Sequence, residues 1–247
     1  LWVAVHGLCS QTLSPTVHML SFAGEKAPAC LQDSALARAS VSACRFLPLC
    51  ARDSGIYLGL LSGLLYLLAR GRWRAAGRPA RWFWAFVLAV LTFFAVDVLN
   101  SILDDWLGLP VLYRRDNALS MASGLLLGLA LAVLLLWAIN LAFAARQGRR
   151  SIFGHWADLP GLLLVGAAGG LALVSGWPPL YGPLAVLTVA GAILGLVVAN
   201  ALALLTLTRG RALLENLWEA VPPLTWGSLA AVLEMAALAW LRYRVGF

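Results

Sequence analysis

The segment CARDSGIYLGLLSGLLYLLARGRWR, residues 50–74, joins a polar head, a long apolar run and an arginine-rich tail. Gly55, Gly59 and Gly63 recur at every fourth position of the apolar run, so they share one face of a helix. About 20 apolar residues cross the hydrocarbon core of a bilayer, and small residues at this spacing let a second backbone approach closely. The segment therefore predicts a membrane-spanning helix that packs through glycine.

The composition of the whole chain agrees with that prediction. Of its 247 residues, 62% are hydrophobic and 12% are charged, whereas about 25% are charged in a typical soluble domain. The net charge of +7 comes from arginines that cluster at the ends of apolar runs, as in membrane proteins rather than nucleic-acid-binding proteins. We therefore expect the lipid bilayer, and no nucleic acid, as a partner.

Six apolar segments predict an all-α, polytopic transmembrane helical bundle, because a backbone in lipid must satisfy its own hydrogen bonds. The predicted spans are residues 54–69, 81–102, 117–145, 159–177, 183–208 and 222–243. We expect two parts: an extracytoplasmic N-terminal segment, residues 1–53, and a transmembrane domain, residues 54–247.

Charged loops predict the orientation in the cell membrane. The loops after the first, third and fifth spans hold Arg70, Arg72, Arg74, Arg78, Arg81, Arg146, Arg149, Arg150, Arg209 and Arg211. Loops of this kind face the cytoplasm, which places the N-terminal segment outside. Arg242 and Arg244, at the outer end of the last span, disagree with this pattern.

Glycine pairs recur in the later spans as well. Gly124 and Gly128 lie in the third span, and the pairs Gly166/Gly170 and Gly191/Gly195 lie in the fourth and fifth. We interpret them as helix-packing faces, with a ligand or lipid groove as the alternative.

Polar side chains near the outer ends of the spans share one depth and form a candidate cluster. Its members are Arg52, Asp53, Asp97, Asn100, Asn117 and Ser120. Polar groups inside a membrane face protein or water. The cluster is therefore either a binding site or an internal ion pair between Arg52 and Asp97 that joins three helices.

The N-terminal region holds all four cysteines: Cys9, Cys30, Cys44 and Cys50. An even number of cysteines outside the cell favours disulfides; one pairing joins Cys30 to Cys44 and Cys9 to Cys50. The alternatives are a reactive thiol, a metal site, or cysteines that are simply unpaired. The candidate metal ligands are Cys50, Asp53, Cys9, His6 and His18.

Two further features concern Asp53 and Glu234. Asp53 and Ser54 stand where a helix N-cap belongs, which gives Asp53 a structural role as well as a possible role beside the Cys50 thiol. Glu234 falls near the middle of the last span, where a carboxyl group needs a partner or stays protonated. Asn140 and Asn200 are candidates for hydrogen bonds between helices. Glu234 thus predicts an interhelical hydrogen bond or, alternatively, a proton or cation path.

The motifs LPLCARDSGIYLG and VDVLNSILDDWLGLPVLYRRDNALSMASGLLLG resemble those of a prokaryotic family of uncharacterised multi-spanning membrane proteins, a domain of unknown function. The resemblance covers residues 9–128. Its matching positions are Cys9, Gln11, Cys50, Ala51, Arg52, Gly55, Tyr57, Gly59, Asp97, Asn117, Gly124 and Gly128. It implies fold and topology rather than activity, and also a helix before Leu1.

The chain departs from that family pattern at several positions. Ser10 stands where the family usually has histidine, Asp53 where it often has a second cysteine, and Ser120 where it has arginine. Residues 21–44 resemble an insertion, and an alternative alignment puts Cys30 in place of Cys9. These departures weaken a cysteine and histidine metal site.

For function, the sequence favours a non-catalytic accessory or structural subunit of a larger membrane assembly, with other membrane subunits as partners. The first alternative is a membrane-embedded protein that binds or transports a small molecule, ion or metal through the outer polar cluster. The second is a thiol-dependent membrane enzyme that uses Cys50. No particular cofactor is indicated.

Overall fold

The computed structural model describes residues 49–107, 112–113, 116–143, 148–175, 177–209, 214 and 217–245. Within these ranges the chain forms six α-helices: α1 (Ala51–Ala69), α2 (Arg81–Leu107), α3 (Asn117–Ala142), α4 (Asp158–Val174), α5 (Tyr181–Arg209) and α6 (Val221–Val245). Two short strands, β1 (Ala75–Gly77) and β2 (Gly148–Ser151), lie in the loops. The predicted all-helical membrane bundle is confirmed, and each predicted span corresponds to one helix.

Four helical segments of the described ranges are long and apolar enough to cross a membrane: Arg81–Asp104, Asn117–Ala142, Tyr181–Thr208 and Trp218–Leu238. Helix α4 is apolar but shorter. Helix α1 is not among the four, since Arg52 and Asp53 in its first turn lower its mean hydropathy. A total of six spans therefore stays a prediction.

Helices α1 and α3 pack so closely that their glycines contact the opposite backbone. A Cβ atom on Gly55 would collide with the carbonyl oxygen of Met121, and one on Gly128 with that of Ile56. The same kind of contact is made by Gly59 and Gly124. The two glycine faces are thus reciprocal, and α1, which also contacts α4 and α5, lies at the centre of the bundle.

The loops at the C-terminal end of α1 fold over an apolar core. Phe83, Phe153 and Ile152 are fully buried there with Leu67 and Leu129. Strands β1 and β2 pair in parallel above this core. These strands were not predictable from the sequence, because segments of three and four residues show no alternation of apolar and polar side chains.

Helices α5 and α6 form a hairpin with a largely exposed apolar surface. Gly227 of α6 fits against the backbone of α5, where its added Cβ would lie 2.6 Å from the Val197 carbonyl oxygen. In the most apolar 18-residue stretch of the candidate span Trp218–Leu238, only 11% of the stretch is buried within the protein. Most of the α6 surface is therefore left uncovered by the described part of the chain.

Candidate functional site

A buried ion pair joins α1 to α2 at the N-terminal end of α1. Arg52 Nη2 lies 2.7 Å from Asp97 Oδ2, and Arg52 Nε lies 3.0 Å from the same oxygen. Arg52 is 8% exposed and Asp97 is 1% exposed. The ion pair that the sequence predicted as one interpretation of these residues is present.

Hydroxyl groups from α2, α3 and the intervening loop complete this site, which we call the Arg52 cluster: Arg52, Asp97, Ser101, Tyr113, Ser120 and Ser123. Tyr113 donates its hydroxyl to Asp97 Oδ1 at 2.7 Å, and Ser120 donates to the same oxygen at 3.3 Å. Ser123 donates to Asp97 Oδ2 at 3.0 Å. Arg52 Nη2 also donates to Ser101 Oγ at 2.8 Å. The cluster thus connects α1, α2 and α3.

Asn100 positions the loop that delivers Tyr113. Its Nδ2 donates to the Tyr113 carbonyl at 3.0 Å, and its Oδ1 accepts from the Leu112 backbone N–H at 3.0 Å. Burial, together with the hydrogen bond to Asp97, raises the pKa of Tyr113 to about 12. Asn100 therefore acts on Asp97 through the loop. Sequence reasoning missed Tyr113, which lies 16 residues from Asp97 in a polar loop.

The start of α1 differs from the predicted N-cap. The helix begins at Ala51 with Cys50 as its N-cap, whose Sγ accepts the Asp53 backbone N–H at 3.5 Å. Asp53 lies in the first turn instead, where its charge faces the positive end of the helix dipole. Ser54 is buried and donates its hydroxyl to the Leu49 carbonyl at 3.3 Å. The assignment of Asp53 and Ser54 as N-cap was therefore wrong.

Two residues of the predicted polar cluster, Asn117 and Asp53, lie at the starts of helices. Asn117 is the first residue of α3, next to its N-cap Asp116, which accepts the Ala118 backbone N–H at 2.8 Å. Asp53 is half-buried at the start of α1. The hydrogen bonds around Asp97 come from Arg52, Tyr113 and serines, so the site is built from hydroxyl groups more than the sequence suggested.

The Asp97 carboxylate is saturated by its neighbours. Two Arg52 nitrogens and three hydroxyl groups lie within hydrogen-bond distance of its two oxygens, and the Ser123 hydroxyl also lies 2.9 Å from the Ser120 carbonyl. A carboxylate offers about four lone-pair sites, so no acceptor capacity is left for a ligand. The arrangement joins three helices through one carboxylate.

A second buried ion pair lies at the opposite end of α1, and sequence reasoning missed it. In this Arg72 cluster, Arg72 Nη2 lies 2.7 Å and Arg70 Nη2 lies 3.3 Å from the Asp158 carboxylate. Tyr66 donates to the Asp158 carbonyl at 3.3 Å, and Arg72 Nη1 donates to the Ser151 carbonyl at 3.1 Å. A single aspartate at a helix start beside arginine-rich loops was the signal available in the sequence.

Asn140 and Asn200 both make hydrogen bonds beyond their own helices. Asn140 Nδ2 donates to the Arg72 carbonyl at 3.0 Å and to the Ala75 carbonyl at 2.9 Å, which ties α3 to the loop after α1. Asn200 Nδ2 donates to Glu234 Oε2 at 3.0 Å across the α5–α6 hairpin. The interhelical hydrogen bond predicted for Glu234 is thus present, on an exposed surface.

The predicted thiol and metal sites fall largely outside the described residues. Cys9, Cys30, Cys44, His6 and His18 all lie there, so the predicted disulfides stay predictions. Cys50 is 6% exposed. Within the described ranges, no three residues of the types His, Cys, Asp and Glu come together as metal ligands. His155 is exposed, at the end of the bundle away from Cys50.

A family model described as "Predicted membrane protein (DUF2085)" matches residues 34–134. Over this stretch the chain is similar to an uncharacterised membrane family. The matched stretch includes every residue of the Arg52 cluster, whereas α4, α5 and α6 lie beyond it. No curated protein and no solved structure matches the chain.

Proposed function

We propose that the protein is a non-catalytic subunit of a larger membrane assembly and that it docks to its partner through the α5–α6 hairpin. The observation that carries this proposal is the exposed carboxyl group of Glu234, bonded to Asn200. The proposal rests on the depth of this pair in the membrane and on the shape and charge of the surface around it.

Glu234 is the fourteenth of the 25 residues of α6, and therefore lies about 20 Å from the start of the helix at 1.5 Å per residue. An acidic side chain at the middle of a membrane helix costs about 3 kcal/mol on insertion scales. The hydrogen bond from Asn200 to Oε2 supplies one of the hydrogen bonds that the Glu234 carboxyl group needs in lipid, and so offsets part of this cost. A protein that covers this face and donates a further hydrogen bond removes the rest of the cost.

A groove beside the polar pair supports a helix as the occupant. It has a volume of about 620 Å³ and runs between α5 and α6, with Asn200 at its wall. Pro222, Trp226 and Leu233 supply much of the apolar lining. An apolar side chain of a neighbouring transmembrane helix fits such a groove while its polar residue reaches Glu234.

Charge favours a different protein over a second copy of this chain. Residues 182–208 and 221–241 contain no lysine, arginine or histidine. A second copy would therefore bring another carboxyl group to the depth of Glu234 and no cation. The proposed partner is a transmembrane helix that carries a basic residue or another strong hydrogen-bond donor.

The two alternative functions have weaker support in the geometry. Binding or transport of a ligand through Asp97 requires free acceptor groups, and the Asp97 oxygens already accept from Arg52, Tyr113 and Ser123. A thiol enzyme requires an accessible thiolate with a base beside it. Cys50 is buried, and its sulfur accepts the Asp53 backbone N–H.

The proposal is tested by purifying the full chain from its native membranes in mild detergent and weighing the intact particle. We expect wild type in a larger complex, and release of the chain by Glu234→Ala. Ser228→Ala is the matched control, since that exposed α6 hydroxyl donates to the Leu224 carbonyl of its own helix, at 2.8 Å. A wild-type chain that runs alone, or a complex that survives Glu234→Ala, contradicts the proposal.

We further propose that the protein lies in the cell membrane with its arginine-rich loops in the cytoplasm. Trp156 and Leu112 lie in loops at opposite ends of the bundle, and both are about 70% exposed. In a cysteine-free background, an impermeant thiol reagent applied to intact cells should label Leu112→Cys and spare Trp156→Cys. The reverse pattern contradicts the proposed orientation.

A further inference from the structure

The loops at the Arg72 end of the bundle form a folded surface, which we call the arginine shelf: residues 70–78 and 148–153. Strands β1 and β2 join the two loops. Ser151 donates its hydroxyl to the Arg78 carbonyl at 2.7 Å, and the Ile152 backbone N–H donates to the Gly77 carbonyl at 3.2 Å. The shelf is attached to α3 by Asn140 and to α4 through Asp158.

The shelf presents exposed arginines with no exposed acid among its own residues. Its exposed arginines are Arg70, Arg74, Arg78 and Arg150, and Arg81 follows at the start of α2. Asp158, the carboxylate that the shelf encloses, is 2% exposed and is already paired with Arg72. Arg70 shares that carboxylate at 3.3 Å, so the exposed charges left for a ligand are those of Arg74, Arg78 and Arg150.

Tryptophans place the shelf at the level of the lipid headgroups. Trp73 is 54% exposed, Trp84 is 44% exposed and Trp156 is 72% exposed, and exposed tryptophans concentrate at the membrane interface. The candidate span of α2 begins at Arg81. The Arg74 guanidinium lies 4.0 Å from the centre of the Trp73 ring, a cation–π contact that restrains it.

We infer that the arginine shelf binds the phosphate groups of anionic phospholipids. Orientation in the membrane requires only positive charge in a loop, whereas these loops are folded and anchored at several points. Arginines carried on a folded backbone, one of them (Arg74) stacked on Trp73, suit phosphate oxygens, which accept paired N–H groups. Because the shelf lies outside α5 and α6, this inference is independent of the proposed docking through Glu234.

The test uses the full chain in nanodiscs of phosphatidylcholine and phosphatidylglycerol at a 4:1 ratio, a composition set by the experiment as roughly 20% anionic lipid. Native mass spectrometry measures the lipids retained after mild detergent extraction. We expect phosphatidylglycerol to be enriched among the retained lipids over its share in the nanodisc. Arg74, Arg78 and Arg150 are changed to glutamine one at a time and then together in a triple variant, and retention of phosphatidylglycerol should fall roughly fivefold with each change. Enrichment should disappear at about 1 M salt, where the screening length is about 3 Å.

Arg244→Gln is the matched control, because Arg244 also lies over a tryptophan, 5.5 Å from the Trp240 ring, at the other end of the bundle. Equal retention of both lipids by wild type, or an equal loss with Arg244→Gln, overturns the inference. Displacement of phosphatidylglycerol by millimolar inorganic phosphate overturns it as well, since a free anion is then sufficient. If the triple variant fails to fold, the wild-type lipid and salt series decides the question.

Discussion

The two ends of α1 each carry a buried arginine–aspartate pair with a shortest distance of 2.7 Å, but the pairs join different kinds of structure. Arg52 and Asp97 both lie in helices, and hydroxyl groups surround them. Arg72 lies in a loop, and its partner Asp158 begins α4 beside the exposed Arg70. The same chemistry therefore fixes helix packing at one end and loop structure at the other.

The two ion pairs differ in how well their surroundings can solvate a charge whose partner has been removed. Removal of one charge leaves the other buried at either end, but at the Arg52 end all the elements around the pair are helices or contact them directly. At the Arg72 end, Arg70 has a side chain 57% exposed, so water reaches the edge of the cluster. We therefore expect the first pair to be the more sensitive to substitution.

Asp97→Ala should have the largest effect. It leaves the Arg52 guanidinium buried without a counter-charge, which costs about 3–5 kcal/mol in buried ion pairs. The measurement is the free energy of unfolding in mixed detergent micelles. The double variant Arg52→Met/Asp97→Leu should recover part of the loss, because no charge then remains buried; a double variant as unstable as Asp97→Ala speaks against this account.

Asp158→Asn should come next, with a loss of about 1.5–3 kcal/mol, the range for a hydrogen bond to a charged group. The smaller loss follows from the access of water to Arg70. Proteolysis of the 148–153 loop reports the local change, and we expect faster cleavage with little effect on the contacts around Asp97. The comparison between the two ends fails if Asp158→Asn destabilises the protein as much as Asp97→Ala.

Gly124→Ala tests whether the Arg52 end depends on close helix packing. Its Cβ would collide with the Arg52 carbonyl oxygen, and overpacking of this kind costs about 1–3 kcal/mol. Gly182→Ala is the control, because a Cβ there meets no atom within 4 Å. Equal thermal unfolding midpoints for the two variants would refute tight packing of α1 against α3.

Tyr113 provides the smallest and most local probe. The pKa of Tyr113 is raised from 10.0 to about 12, so the folded protein keeps a proton that the unfolded chain releases in this interval. The stabilisation is complete below pH 10 and is lost as the pH rises through about 12. The absorbance at about 295 nm, where tyrosinate absorbs, compared between wild type and Tyr113→Phe, should give a titration midpoint near the folded-state value of about 12. A midpoint at the ordinary value of 10.0 contradicts the hydrogen bond to Asp97.

The helices and the Arg52–Asp97 pair were predictable from the sequence because both depend on local rules. Long apolar runs specify helices in lipid, and opposite charges at the same depth in a membrane tend to form ion pairs. Tyr113, Ser101 and Asp158 were not predicted, because their roles depend on contacts between loops and helices that no spacing reveals. Strands β1 and β2 were missed for the same reason, since the helices bring their backbones together.

Helix α1 affects how the described part of the chain enters the membrane. Helix α1 contacts α3, α4 and α5, yet it is not one of the segments that are apolar enough to cross alone. Its first turn carries Arg52, whose counter-charge Asp97 arrives only with α2. During synthesis we therefore expect α1 to stay at the translocation channel until α2 and α3 emerge, so that insertion and folding of α1, α2 and α3 become one step.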